Sequence, residues 1–202
     1  MSFFENTRKP VGLGGKIMVA MMNVGHSAVA RWGLQFLNAA PDAKVLDCGC
    51  GGGANIKRLL KKCPEGIVKG IDYSPVSVEK SKKVNEAAIA EGRCTVLQGI
   101  VADMIFAGDW FDAVTAFETV YFWPDLPQCF REVSRVLRPG GVFFICNECS
   151  GENEKDDRWT EIIEGMTVYR EGQLWEALRQ AGFSGVQTHK NEKGWLCAIA
   201  KK

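Results

Sequence analysis

The stretch Lys44-Val45-Leu46-Asp47-Cys48-Gly49-Cys50-Gly51-Gly52-Gly53-Ala54 decides how this sequence is read. Lys44 to Cys48 is a short, mostly apolar run of strand length. Ala54 to Lys62 carries Ile56, Leu59 and Leu60 on one side and Lys57, Arg58, Lys61 and Lys62 on the other, the period of an amphipathic helix. The glycines between them let the backbone turn tightly and let a ligand approach without meeting a Cβ. An open parallel sheet takes its ligand outside the carboxyl ends of its strands, and this turn stands at such an end.

Outward from this turn, short apolar runs alternate with amphipathic ones. Ile67 to Ile71 reads as a second strand, and Ser74-Pro75 opens a helix expected to run to about Ala90 and stop at Gly92. Cys94 to Gln98 and Phe111 to Phe117 read as strands three and four. Gln128 to Leu137 is helical, Arg138-Pro139-Gly140-Gly141 is a turn, and Val142 to Cys146 is a fifth strand. Near-continuous apolar strands separated by helices indicate a parallel sheet covered on both faces. Gly151 to Arg158 reads as a loop, Trp159 to Met166 as a short helix and Leu174 to Ala181 as a clearer one. Gly185 to His189 and Trp195 to Ala200 flank a turn and form a hairpin. The expected fold is α/β: a doubly wound, mostly parallel seven-stranded sheet with a C-terminal antiparallel hairpin strand. Residues 41–202 form its one globular domain. The first 40 residues hold one or two helices, with Ala28 to Leu37 the plainest.

The 202 residues include 25 Lys and Arg against 24 Asp and Glu, so net charge gives no reason to expect a nucleic-acid partner. No run of about 18 apolar residues occurs, so neither a transmembrane helix nor a membrane partner is expected. Met1 to Pro10 lacks the apolar block of a secretory leader, which points to the cytoplasm. Eight cysteines sit in a chain that is 46% hydrophobic, unlike a small disulfide scaffold. Cys146 and Cys149 have the spacing of a metal pair, but the two histidines, His26 and His189, lie far off in sequence, so no metal is expected.

The second strand ends in Asp72, about 20 residues past the glycine turn, where a carboxylate can accept from both hydroxyls of a ribose. Glycine turn and spaced carboxylate together indicate a nucleoside-containing ligand. A dinucleotide fits Gly49 to Ala54 as well, and would make the protein an NAD(P)-dependent oxidoreductase. Two features oppose it. Asp47, just before the first glycine, would repel a pyrophosphate and attract an ammonium group. The chain also ends in a hairpin, not in a second mononucleotide-binding half.

Val45-Leu46-Asp47-x-Gly49-x-Gly51-x-Gly53 resembles the first motif of the class I S-adenosylmethionine-dependent methyltransferases, and Gly70-Ile71-Asp72-Tyr73-Ser74 resembles their acidic second motif. Phe111-Asp112-Ala113-Val114, Arg131 to Gly141, and Leu174 to Phe183 resemble later segments of the family in the same order. The resemblance implies S-adenosylmethionine as cofactor. It places Gly49, Cys50 and Gly51 along the methionine and ribose, Asp47 toward the amino group, and Asp72 on the ribose hydroxyls. It puts Tyr73 on the adenine face, Ile100 and Val101 beside the adenine, and Phe117 near the methionine. Many relatives carry an Asp where this chain has Ile100; Asp103 or backbone groups are the alternatives for the adenine amino group.

Methyl transfer needs alignment and exclusion of water more than a fixed base, because the cofactor carries the activation. Where the acceptor loses a proton, some group must take it. Phe117 to Asp125 offers Glu118, Tyr121 and an aromatic wall that includes Trp123. In the N-terminal segment, His26 serves either as a base near neutral pH or as a helix cap. Met18, Met21 and Met22 suggest an adaptable apolar surface, and residues 1–40 are expected to cover the site as a lid. The lysines and arginines of the two helices after the glycine turn read as solvated faces. The expected activity is methylation of a small-molecule acceptor, with a non-catalytic nucleoside-binding protein as the reading from another class.

Overall fold

The computed structural model describes Arg8 and residues 10–202. Seven strands form one sheet in the order β3-β2-β1-β4-β5-β7-β6. They are β1 (Lys44–Cys48), β2 (Ile67–Asp72), β3 (Cys94–Gln98), β4 (Phe111–Phe117), β5 (Leu137–Asn147), β6 (Ser184–Lys190) and β7 (Leu196–Lys201). β1 to β5 run parallel, while β7 is antiparallel to both β5 and β6. The expected doubly wound sheet and terminal hairpin are therefore present. Strand order reverses at β1, so β1 and its neighbour β4 part their crossovers to opposite sides and leave a crevice at their carboxyl ends.

Among the described residues eight α-helices flank the sheet: α1 (Gly12–Gly25), α2 (Ser27–Gly33), α3 (Ala54–Lys62), α4 (Pro75–Val84), α5 (Glu86–Ala90), α6 (Leu126–Val136), α7 (Glu154–Ile162) and α8 (Glu171–Gln180). The strands are apolar on both faces because both are covered. On one face Ile56, Leu59 and Leu60 of α3, Val78 of α4 and Val29 and Ala30 of α2 pack on Val45, Val68, Ala113 and Phe144. On the other, Phe130 and Val133 of α6 and Leu174 and Leu178 of α8 pack on Leu46, Ile71, Val114 and Phe143. All eight cysteines are free and buried.

Three elements differ from the sequence reading. The single helix expected to reach Ala90 breaks at Asn85, whose buried amide donates to the Gly53 carbonyl at 3.0 Å and to the Ser81 carbonyl at 2.9 Å. A long-range hydrogen bond thus overrides local helix propensity. The Arg138–Gly141 turn is absorbed into β5 as an irregular register against Phe111 and Ala113. The polar segment read as a loop holds α7. Its Asp156 carboxylate accepts from the Ser150 and Gly151 N–H groups at 3.0 and 2.9 Å and ties the helix to the end of β5.

Candidate functional site

A cavity of about 740 Å³ opens at the carboxyl ends of β1, β2 and β4. One wall is the glycine turn after β1 with Asp72 and Tyr73 after β2. A second is Gly99 to Val101 after β3, and a third is Phe117 to Thr119 with Phe122 to Pro124 after β4. Met22, Asn23 and His26, at the end of α1, close it from above, and Ile163 and Glu164 close the far side.

The turn is held by backbone geometry. Gly49 has φ +72°, and a Cβ there would stand 2.0 Å from Thr119 Oγ1, so only glycine fits. At Gly51, with φ +50°, the same construction meets nothing within 4 Å: the backbone faces open space. The Gly49 and Cys50 N–H groups both donate to the Ile71 carbonyl, at 2.8 and 3.0 Å. The Gly51 N–H donates to Asp72 Oδ2 and the Ser74 N–H to Asp72 Oδ1, each at 2.9 Å. Asn23 Nδ2 donates to the Gly52 carbonyl at 3.1 Å and fastens α1 to the turn. Asp72 thus keeps a carboxylate at the cavity wall while bracing the turn. Burial raises its pKa, and the Ser74 and Gly51 N–H groups oppose that shift.

Asp47 lies beneath the turn rather than among the residues lining the cavity. Its Oδ1 accepts from Thr115 Oγ1 at 2.8 Å, and its Oδ2 is buried without a partner. Burial, with the Asp72 charge as a lesser cause, pushes its pKa up to about 7 against the Thr115 hydrogen bond. An orphaned buried carboxylate oxygen at this depth suits a cationic ligand group above it.

Tyr73, Ile100 and Val101 all line the cavity, as does Phe117. Asp103 does not; it pairs through its backbone with Ile100 in a short bridge, so the β3 wall brings no carboxylate to the cavity.

At the opposite end His26, Glu118 and Glu148 bring their side-chain donor atoms within 4.8 Å of one another. Among the described residues they are the one group of this kind that could hold a metal ion, and it differs from the Cys146–Cys149 spacing weighed in the sequence. Glu118 has φ +59°, a strained setting for a side-chain-bearing residue, and its carboxylate accepts from the Glu148 N–H. Burial first, then the Glu148 charge, raises the Glu118 pKa well above the ordinary carboxylate range. His26 is the C-cap of α1 and the N-cap of α2, as the helix-cap reading expects, but it caps through its backbone: its N–H donates to the Met22 and Val24 carbonyls, and its side chain makes no cap hydrogen bond to α2. Burial holds its imidazole below its ordinary pKa, with Glu148 opposing, so the ring is neutral at pH 7. Tyr121 does not reach the cavity. Its hydroxyl accepts from the Cys149 N–H at 2.9 Å and lies 3.2 Å from the Cys149 carbonyl, clamping the loop after β5 behind Glu118.

Sequence reasoning missed Arg58, Ile163 and Glu148; Asn23, Thr119 and Phe122 lie inside the two segments it pointed to, Met22 to Ser27 and Phe117 to Asp125, without being singled out. Arg58 reads as one more solvated lysine-like position on α3, yet it lines the cavity and donates to Ser27 Oγ at 2.6 Å. Glu148 sits inside the Cys146–Cys149 motif but was overlooked in favour of the cysteines.

A family model described as a methyltransferase domain matches residues 46–145. Cycloartenol-C-24-methyltransferase of Arabidopsis thaliana is 31% identical over 156 residues, covering 73% of this chain and 46% of that protein. Sterol methyltransferase-like 2 of Botryococcus braunii is 34% identical over 148 residues, covering 70% and 38%. The chain spans less than half the length of these curated relatives. Among solved structures, a chain of the complex between the Haloferax volcanii Trm112 methyltransferase activator and a methyltransferase superposes with a TM-score of 0.85 at 22% identity, covering 92% of this chain and 93% of that one. Geranyl diphosphate C-methyltransferase from Streptomyces coelicolor gives 0.74 at 16%, covering 87% and 75%. At such identities the superpositions speak for the fold alone. The dinucleotide alternative falls, because the sheet closes with the β7-β6 hairpin and the matching domain is a methyltransferase. Glycine turn, Asp72, sheet order and domain match converge: this chain belongs to the class I S-adenosylmethionine-dependent methyltransferases.

Proposed function

We propose that the chain transfers the methyl group of S-adenosylmethionine to a small, largely apolar acceptor. The single observation that carries this reading is the continuity of one cavity. It runs from the glycine turn and Asp72 to a wall of Phe117, Phe122, Trp123 and Ile163, with His26 and Glu118 beside it. Its volume, about 740 Å³, falls within the roughly 300–1,000 Å³ of small-ligand sites. The relatives named for sterol and geranyl diphosphate methylation support an acceptor of hydrocarbon character.

In this reading the cofactor supplies a methyl group already activated on a sulfonium. The Gly49–Gly51 backbone holds its methionine and ribose, and Asp72 accepts from the ribose hydroxyls with lone pairs left over from Gly51 and Ser74. Asp47 offers its orphaned oxygen below the amino group. Tyr73, Ile100 and Val101 enclose the adenine, whose amino group meets backbone acceptors in the absence of a carboxylate there. Phe117 and the aromatic wall exclude water and hold the acceptor in line. Neutral His26 takes the acceptor's proton, and Glu148 stabilises the imidazolium. α1, which carries Met22, Asn23 and His26 into the cavity, is the lid; residues 1–7 and 9 of the expected lid lie outside the described residues.

The test is calorimetry followed by transfer. S-adenosylhomocysteine binds and NAD does not, and labelled methyl from the cofactor appears in the organic phase of extracts. Heat without transfer to any extract would leave a nucleoside-binding protein; no heat would end the proposal. Unchanged turnover after exhaustive treatment with EDTA checks that His26, Glu118 and Glu148 act as proton carriers.

A further inference from the structure

Helix α1 is apolar on two opposite sides. Met18 and Val19 are buried against the domain, and Met22 and Asn23 face the cavity. On the reverse side Ile17, Met21 and Val24 follow one another at helical spacing and are 48%, 56% and 77% exposed. A helix apolar on both sides belongs in a buried setting, yet among the described residues this second face stays exposed. Scattered apolar surface residues need no explanation; a row of three on one helix face, above the mouth of a cavity, does.

The charge around the row says what covers it. Helix α1 and the helices packed against it, α2 and α4, carry Lys16, Arg31, Lys80, Lys82 and Lys83 against a single acidic residue, Glu79. The chain as a whole is nearly neutral, so its carboxylates are gathered elsewhere. At the C-terminal end of α1 two guanidiniums converge on one hydroxyl. Arg31 donates to Ser27 Oγ at 2.9 Å and Arg58 donates to the same atom at 2.6 Å, three residues from Val24. Among the described residues neither has a carboxylate partner within 4.0 Å. Lys16 alone is neutralised, by Glu79 of α4 at 3.7 Å. An apolar ridge bordered by unpaired cations is the pattern of a helix lying in the headgroup boundary of an anionic bilayer.

We infer that this face docks on an anionic phospholipid surface, with Ile17, Met21 and Val24 dipping among the acyl chains and exposed Arg31 reaching the phosphates. This is contact with one leaflet, not passage through it: no helix among the described residues is long and apolar enough to cross a membrane. It revises the expectation of no membrane partner drawn from the absence of an 18-residue apolar run, which speaks only to spanning. Because the reverse side of α1 forms the cavity roof, docking would set the mouth of the site at the edge of the hydrocarbon layer. The inference stands on this surface alone and holds whatever the acceptor proves to be.

Flotation of the full chain with vesicles tests it, using phosphatidylcholine alone and an equal mixture of phosphatidylcholine and phosphatidylserine, neither loaded with cofactor or acceptor. The chain is expected to float with the mixed vesicles, less so as salt is added. Ile17→Asp and Val24→Asp should each lower the bound fraction about tenfold, the scale of withdrawing one aliphatic side chain from hydrocarbon. Arg31→Ala should lower it about fivefold. Both aspartate variants point away from the cavity, so unchanged calorimetric binding of S-adenosylhomocysteine shows that they are folded. Failure of docking is thereby read separately from failure of the cofactor site. The inference is overturned if the chain floats with neither vesicle, or if the aspartate variants float as well as the parent. It is equally overturned if sedimentation velocity shows self-association that Ile17→Asp abolishes, which would assign the ridge to a second copy of the chain.

Discussion

Asp72 Oδ2 accepts the Gly51 N–H at 2.9 Å, so the carboxylate at the tip of β2 and the turn at the tip of β1 form one piece of structure. Removing the carboxylate takes away a ligand group and a brace together. Asp72→Ala should weaken S-adenosylhomocysteine binding by about 1–3 kcal/mol, the cost of losing hydrogen bonds to a charged group. It should also lower the melting temperature without ligand. A variant with unchanged affinity in calorimetry would remove Asp72 from the ribose role.

The buried carboxyl of Asp47 makes stability depend on pH in an unusual direction. Its folded-state pKa, about 7, lies above the ordinary value of 3.8, so the folded chain holds a proton that the unfolded chain has released. Stability is therefore greatest below the ordinary value and falls as pH rises through that interval, by at most about 4 kcal/mol at ~1.4 kcal/mol per pH unit. Above it the contribution is flat. Thermal melts from acid to mildly alkaline pH should show the decline in the parent and a shallower one in Asp47→Asn. Equal slopes would refute the assignment.

Asn85 satisfies the Gly53 and Ser81 carbonyls with one amide. Asn85→Ala leaves both without that donor in a buried place and should cost about 1–3 kcal/mol in urea denaturation. Cofactor affinity should fall with it, because Gly53 is the last residue of the turn. A stability loss with no change in affinity would show that the turn holds itself.

His26 is the base in the proposed chemistry, and burial keeps its pKa low. Turnover should fall only when pH drops below the ordinary histidine range. His26→Ala should lower kcat by about 10²–10⁴ and remove that acid limb while leaving S-adenosylhomocysteine affinity unchanged. Glu148→Gln should instead shift the limb to lower pH, since the negative charge that raises the His26 pKa against burial is lost.

Gly33 lets α2 lie close on β5: a Cβ there would sit 2.4 Å from Cys146 Sγ and 3.2 Å from Phe144 Cζ. Gly33→Ala should destabilise by about 1–3 kcal/mol through overpacking, although alanine is the better helix former. A neutral or stabilising result in denaturant titration would mean that α2 slides to make room.

The fold was legible in the sequence wherever one local signal sufficed. Val45 to Cys48 and Phe111 to Phe117 could only be covered strands, and Ser74-Pro75 could only start a helix. The cofactor half of the site was legible for the same reason, since glycines and a carboxylate at fixed spacing sit on adjacent strand ends. The break at Asn85 was hidden because its cause is a carbonyl 32 residues away in sequence. The acceptor half was hidden too. His26, Glu118 and Glu148 come from three separate segments, and no spacing rule links them. Tyr121 looks catalytic by type, whereas it lies outside the cavity, with its hydroxyl held by the Cys149 backbone and hydrogen-bonded to the Glu118 carboxylate.

The eight thiols carry one more consequence. Each is buried and each has its pKa raised, chiefly by burial, so little thiolate exists at neutral pH in the native state. Alkylating reagents will find them only when the chain opens. Spread over strands, turns and helices on both sides of the sheet, they form a native set of opening reporters, and mass-resolved alkylation would rank which layers of the protein come apart first.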